Sequence, residues 1–166
     1  MFELKPISRE AIPKALEKAE RYRLLNEPWQ AASICQDILR VDAENQEALI
    51  MLLLALTDQF DDGIAEYGKE ARAVLPRIRS EYAQAYYAGI VCERQAKAQL
   101  DAGAPGSGVA AFHWLEEAMS LYEKAEAIRP PGNDDAVIRW NTCARMIMRK
   151  PHLVRASEER VEQLME

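Results

Sequence analysis

Apolar and small residues recur every three or four positions along most of this chain, which is the spacing of one face of an α-helix. The pattern predicts a first helix from Ser8, whose side chain suits an N-cap, to Asn26. Pro28 suits a first helical position and begins a second helix that runs to about Val41. No segment resembles a strand. The pattern therefore predicts an all-α fold, with further helices over about 46–59, 64–75, 81–100, 109–128 and 137–149 and a short final helix from Ser157 to about Met165.

Polar, proline-containing or glycine-rich segments separate the predicted helices. Residues 42–45 and 61–63 are expected to form turns, and Pro76 ends or kinks the fourth helix. Residues 102–108 contain three glycines and a proline, so a flexible linker is predicted there. The chain is thus divided into seven or eight short helices joined by turns.

The helix before Pro130 carries a packing signal. Ala118, Tyr122 and Ala125 lie on one helical face at positions i, i+4 and i+7. The small residues allow another helix to approach closely, and the aromatic ring fills the remaining gap. Pro130 ends the helix because the residue before a proline avoids the α region. This run closely resembles the second helix of a tetratricopeptide repeat.

The same register can be followed in the rest of the chain. The first unit has Ala15, Ala19 and Tyr22 in its first helix, and Ala31, Cys35, Ile38 and Ala43 at the second-helix positions, where Cys35 replaces an aromatic and Ala43 a proline. The second unit has Leu49, Leu53 and Leu56. Its second helix departs from the register, because Lys69 and Arg72 occupy expected core positions. A slip of one residue, which uses Ile64, Gly68 and Ala71, restores the match. In the third unit, Ala88, Gly89 and Cys92 have the spacing of the family's first-helix leucine, glycine and tyrosine, with cysteine in place of the aromatic.

The resemblance implies a single domain of antiparallel helix hairpins, a superhelical stack of about three and a half tetratricopeptide-like units. An unrelated antiparallel helical bundle is the competing interpretation. The expected segments are units at roughly 9–43, 45–77 and 79–130 with an insertion near 101–108, a capping helix at 133–150, and a C-terminal tail or helix at 151–166.

Composition limits the kinds of partner. The chain has 166 residues, 49% of them hydrophobic, which is enough for one domain with a core. Its net charge of −6 disfavours nucleic acid and anionic lipid surfaces. The N-terminus lacks a signal-peptide pattern, and the most apolar stretch, residues 49–56, is too short to cross a bilayer. Three scattered cysteines fit a reducing compartment. We expect a cytoplasmic protein.

No sequence motif indicates catalysis, a metal or a cofactor. Gly103, Gly106 and Gly108 lack the Lys-Ser/Thr ending of a phosphate loop. His113 and His152 are not in a metal-ligand pattern, and residues 61–63 lack the alternating oxygen ligands of a calcium loop. We therefore predict that the chain is not an enzyme and needs no cofactor.

In the tetratricopeptide family the first helices line a concave groove that binds peptides. The resemblance implies a mostly apolar groove here, with Tyr86 as an anchor. Chaperone-binding members hold a carboxylate with lysine and asparagine where this chain has Leu16 and Glu20, so that clamp is not expected. The groove residues are expected to be Leu16, Glu20, Arg23, Ile50, Leu54, Thr57, Tyr86, Ile90, Glu93, Ile138, Thr142 and Arg145.

The predicted function is non-catalytic binding of a peptide or protein segment in this groove. The alternatives are a self-assembling structural protein that uses the groove or an end helix in a homodimer, and a helical enzyme with an unrecognised site. The stretch from Ala136 to Ala156 has five basic residues and no acid. Two interpretations are open. The basic side chains either complement the negative C-terminal ends of helices, or they form a local site for an acidic segment or a C-terminal carboxylate.

Overall fold

The computed structural model describes residues 1–153, which form seven α-helices and no strand. The predicted final helix and Arg155 lie outside the described residues. Two 3₁₀ turns, Arg9–Ala11 and Leu75–Arg77, precede α1 and follow α4. The helices are α1 (Ile12–Leu24), α2 (Pro28–Val41), α3 (Gln46–Thr57), α4 (Phe60–Val74), α5 (Glu81–Ala102), α6 (Ser107–Ala127) and α7 (Asp135–Arg149).

Local chemistry accounts for several helix ends. Pro28 occupies the first position of α2, where its missing N–H costs nothing. The Asn45 side chain caps α3 by accepting from the Ala48 N–H at 2.9 Å, and Ser80 caps α5 by accepting from the Ala83 N–H at 3.2 Å. Gly103 ends α5 with φ of 63°, a conformation that glycine adopts without penalty.

Three predicted boundaries are wrong. Ser8 precedes a 3₁₀ turn and makes no capping bond with its side chain, so α1 begins only at Ile12. Residues 61–63 belong to α4, because the chain turns earlier and the acids Asp61 and Asp62 sit in the first helical turn, which favours negative charge. The linker after α5 is shorter than expected, since α5 runs to Ala102 and α6 begins at Ser107.

Gly63 explains the irregular register of the second predicted unit. Its backbone is not helical (φ 176°, ψ 76°), so α4 is kinked three residues after it begins. Beyond the kink, Gly68 and Ala71 are buried and Lys69 and Arg72 are exposed. The one-residue slip expected from the sequence is therefore the register that the helix adopts there.

The described chain divides into two compact units, Met1–Arg79 and a second that begins at Ser80. In the first unit each helix packs on the next, and α1 also contacts α3. One part of its core consists of Ile12, Ile38 and Ala48, with partly buried side chains such as Ile7 and Leu16 packed around them.

In the second unit α6 packs against both α5 and α7, and its pairing with α5 is the most extensive in the chain. Ala118, Tyr122 and Ala125 are all fully buried, which confirms that this face of α6 is a packing face. None of the helices within residues 1–153 has both the length and the apolar character needed to cross a membrane.

Candidate functional site

The second unit contains a buried polar network centred on Glu93 of α5. Glu93 is only 7% exposed. Its Oε2 accepts a hydrogen bond from the Tyr122 hydroxyl of α6 at 2.5 Å, and its Oε1 accepts from Arg139 Nη1 of α7 at 3.2 Å. One carboxylate therefore connects all three helices of the unit, and both of its oxygens are engaged.

Close packing sets the position of Tyr122. A Cβ atom built on Gly89 would lie 2.5 Å from Tyr122 Cε1, so the ring rests directly on the backbone of α5. Tyr86 lies beside it, with ring centroids 5.9 Å apart, and contacts Tyr82 and Tyr87 as well. This aromatic cluster holds the hydroxyl of Tyr122 against Glu93.

The network also fixes a cation. Burial by itself lowers the pKa of Arg139, but the Glu93 carboxylate and the neighbouring Tyr86 outweigh this effect, so the pKa is raised. The guanidinium is charged at any physiological pH. Glu93 accepts a hydrogen bond from one edge of the guanidinium, and this bond fixes the orientation of the Arg139 side chain.

A recess of about 300 Å³ lies beside this network, between α5 and α7. Four cationic and two acidic side chains line it, which gives a formal charge of +2 in a chain whose net charge is −6. Leu100 and Met146 add apolar surface. The charged lining residues are Arg94, Lys97, Arg139 and Lys150 with Glu93 and Asp101.

The excess of cationic over acidic side chains in the recess favours a negatively charged ligand group. Glu93 neutralises Arg139, and Lys97 and Lys150 are exposed at the surface. An ammonium in a partly enclosed recess is screened less than one on an open surface. The arrangement can therefore hold a carboxylate, and the apolar side chains can contact the carbon atoms next to it.

The expected groove residues in the compact unit that begins at Ser80 differ from one another in their surroundings. Glu93 and Thr142 line the recess, and the Thr142 hydroxyl donates to the Ile138 carbonyl at 3.0 Å. Ile90 is buried, and Tyr86 is half-buried in the aromatic cluster. Ile138 and Arg145 are exposed on α7.

The expected groove residues in the compact unit Met1–Arg79 are mostly half-buried. Leu16 packs on the core of Ile12, Ile38 and Ala48, and Ile50 and Leu54 are half-buried on α3. Arg23 forms a two-pronged ion pair with Asp58, with Nε–Oδ2 at 2.5 Å and Nη2–Oδ1 at 3.3 Å. Thr57 is buried and donates to the Leu54 carbonyl, and Glu20 is exposed. Partner contact by these residues stays a prediction.

The basic stretch on and after α7 separates into two groups. Arg139 and Lys150 line the recess, whereas Arg145 and Arg149 are exposed and do not line it. The basic stretch identified in the sequence therefore contributes two cations to the recess. The sequence pattern missed Arg94 and Lys97, which α5 contributes to the same recess. Their spacing of three residues, with Asp101 four further on, marks one helical face but is also typical of an ordinary solvated surface.

Neither cysteine nor histidine is among the described residues that line this recess. Within the part of the chain that the structure describes, no group of three or more His, Cys, Asp or Glu residues is arranged to hold a metal ion. Burial raises the pKa of the Cys35 thiol to about 12, and burial together with the Glu93 charge raises that of Cys143 to about 12. Both thiols are therefore protonated and unreactive at neutral pH.

Comparison of the chain with models of protein families, with curated proteins and with solved structures gives no match in any of the three.

Proposed function

We propose that this chain is a non-catalytic interaction module of the cytoplasm, built as a tetratricopeptide-like stack of helix pairs, which binds a segment of a partner protein. Two features of the packing support the stack. In the first unit α1 contacts α3, as first helices of successive repeats do, and in both units each helix packs on the next. Ala31, Ala118 and Ala125, which occupy predicted second-helix positions, are fully buried.

The recess between α5 and α7 is the observation that carries the proposal. It includes Glu93 and Thr142, two of the residues expected to face a ligand, and it has an excess of cations. The bound segment therefore presents an acidic side chain or a C-terminal carboxylate to Lys97 and Lys150. Charge-assisted hydrogen bonds of this kind are stronger than neutral ones and orient the ligand.

The state of the charged groups supports binding rather than catalysis. Both oxygens of Glu93 accept hydrogen bonds from protein side chains, which ties this carboxylate to the packing of α5, α6 and α7. A nucleophilic thiol must ionise near neutral pH, and Cys143 does not. The groups around the recess are arranged to hold a charge in place.

Selection from a peptide library tests the proposal. The full chain is used as bait beside the variant Lys97→Glu/Lys150→Glu, which reverses the charge of the recess. A matched control, Lys14→Glu/Lys18→Glu, makes the same charge change at two exposed lysines of α1. We expect the wild type and the control to enrich peptides with an acid or a free carboxylate at one position, and the recess variant to lose that preference. Equal enrichment by all three proteins would contradict the assignment.

A self-assembling structural protein is the second candidate. Ile138 and Met148 are 59% and 81% exposed on α7, and exposed apolar side chains at the end of a helical stack are typical of an interface. In this case the partner is a second copy of the chain. Measurement of mass against concentration separates the two candidates.

A further inference from the structure

A second recess, of about 230 Å³, lies in the first unit between α2, the part of α4 beyond its kink, and the end of α3 with the turn that follows it. It shares no lining residue with the recess between α5 and α7, and the charge of its described lining residues has the opposite sign. Trp29 and Tyr67 provide aromatic surface, Gln59 provides a buried amide, and Glu66 and Glu70 provide negative charge. Among residues 1–153, none of the side chains that line it is cationic.

Trp29 is unusually exposed for a residue of its size. It is the second residue of α2 and is 68% exposed, although an indole normally buries much of its area. Leu24, the last residue of α1, and Leu25, which follows it, are 77% and 64% exposed. An indole that borders a recess, next to further exposed apolar side chains, is typical of a surface that a partner covers.

Tyr67 is held in place by the kink in α4. A Cβ atom at Gly63 would be 3.5 Å from two atoms of the Tyr67 ring, so the ring packs over the glycine backbone. The kink thus brings a second aromatic ring to the recess that contains Trp29. Two aromatic rings around one recess attract a cation through their negative faces.

The carboxylates add charge of the matching sign. Glu66 and Glu70 are at i and i+4 of α4 and therefore share a helical face. Among residues 1–153 neither of them forms an ion pair. Like charges four residues apart on a helix repel each other, and a bound cation removes that repulsion.

Gln59 supplies a directed polar group at the base of the recess. It is 3% exposed, and its amide nitrogen donates to the Ala55 carbonyl at 3.0 Å. That bond fixes the orientation of the amide and leaves its carbonyl oxygen as the end available to a donor. A buried acceptor, two carboxylates and two aromatic rings all favour a cationic donor.

We propose that this recess binds an arginine side chain of a protein partner. A planar guanidinium can stack on the Trp29 indole and donate several hydrogen bonds at once, which a lysine ammonium cannot do in the same geometry. The exposed leucines before α2 then contact apolar residues beside that arginine. The proposal does not rest on the function assigned to the second unit.

Nuclear magnetic resonance of the full chain, labelled with ¹⁵N, tests the assignment. The probe is N-acetyl-arginine amide, and N-acetyl-citrulline amide is its neutral counterpart with nearly the same shape. The indole N–H signal of Trp29 is the reporter, identified from its loss in Trp29→Phe, and the signals of Trp114 and Trp140 are internal references. We expect a saturable shift of the Trp29 signal with the arginine probe, a smaller one with N-acetyl-lysine amide and none with the citrulline probe.

Charge variants separate binding in the recess from adventitious stacking. Glu66→Gln/Glu70→Gln should raise the dissociation constant of the arginine probe by about 2- to 30-fold, since each exposed ion pair contributes roughly 0.2–1 kcal/mol. Glu10→Gln/Glu17→Gln, at two exposed acids before and on α1, removes the same charge elsewhere and should leave it unchanged.

Several outcomes would overturn the proposal. These are an equal shift with the citrulline probe, parallel shifts of all three indoles, no saturable shift at all, or an equal effect of the two charge variants. Free arginine that binds more tightly than its blocked amide would overturn the assignment to a protein partner, because it would indicate a site for the amino acid itself.

Discussion

At the residue scale, the contact between Gly89 of α5 and Tyr122 of α6 is tightly constrained. The ring is fully buried and lies where any side chain at position 89 would start. The contact also sets the position of the hydroxyl that binds Glu93. A change at a single glycine therefore affects both the packing of α5 on α6 and the network beside the recess.

We expect Gly89→Ala to lower the free energy of unfolding by about 1–3 kcal/mol, the usual cost of inserting a methyl group into a packed core. Urea titration followed by circular dichroism measures it. Gly63→Ala is the matched control, because a Cβ there meets Tyr67 at an ordinary 3.5 Å. It should change the stability by less than about 1 kcal/mol. Equal effects of the two substitutions would contradict the close approach.

The two buried thiols make stability depend on pH above neutrality. Cys35 and Cys143 have a pKa of about 12 in the folded chain, against the ordinary thiol value of 9.0. Between these values the unfolded chain releases the thiol protons while the folded chain keeps them, so stability is full below pH 9 and falls as the pH rises. Each thiol should cost about 1.4 kcal/mol for each pH unit above 9.

Urea titrations of the wild type and of Cys35→Ala and Cys143→Ala, at several values between pH 8 and pH 10.5, check this dependence. Each substitution should make the decline of stability with pH shallower, whatever its own effect at pH 8. Parallel curves for all three proteins would show that the thiols do not ionise on unfolding as expected.

At the scale of elements, the sequence predicted each helix best where its own end signals are strong. The second helix has the predicted bounds, Pro28–Val41, because Pro28 fits its first turn and the polar residues from Asp42 onwards form the next turn. The start of α4 was missed, because aspartates and a glycine are as typical of a turn as of a first helical turn followed by a kink. Local chemistry alone does not decide between the two.

The candidate site could be predicted only in part. Glu93, Thr142 and the basic stretch of α7 follow from the repeat register and from charge counting. The pairing of Glu93 with Arg139 spans 46 residues, and Arg94 and Lys97 resemble solvated surface side chains. Which surface charges meet around a recess depends on how α5 and α7 are placed, and the hydrophobic pattern of each helix by itself contains no such information.

The packing face of α6 provides a prediction at this scale. Ala118→Leu should destabilise the fold by about 1–3 kcal/mol, because the fully buried alanine lets another helix approach closely. Ala127→Leu changes the same residue type at an exposed position of the same helix and should stay within about 0.5 kcal/mol of wild type. Thermal or urea unfolding measures both. A neutral Ala118→Leu would contradict the role given to this face.

At the scale of the whole molecule, the two recesses differ in charge. Of the described residues, those that line the recess in the first unit include two carboxylates and no cation, and those that line the recess in the second unit have an excess of cations. The net charge of −6 conceals this difference. Each recess would therefore favour a ligand group of the opposite charge, and like charge would exclude the wrong group.

The two candidate functions, an interaction module and a self-assembling structural protein, predict a different dependence of the molecular mass on protein concentration. Sedimentation equilibrium across a dilution series should give the mass of one chain, 18.8 kDa, at every concentration if the chain binds a separate partner. A mass that rises with concentration, and that falls back in Ile138→Ser/Met148→Ser, would favour the homo-oligomer.

The central claim is that cations of the recess between α5 and α7 hold an acidic group of a partner. A double-mutant cycle across the complex tests it most directly. Dissociation constants are measured for a peptide selected by the wild type and for its twin in which the acid is replaced by the amide, each with the wild type and with Lys97→Gln/Lys150→Gln. We expect each change to weaken binding and the two effects not to add, with a coupling of at least about twofold in the dissociation constant. Effects that add in full would show that the acid and these lysines do not interact, and would contradict the account.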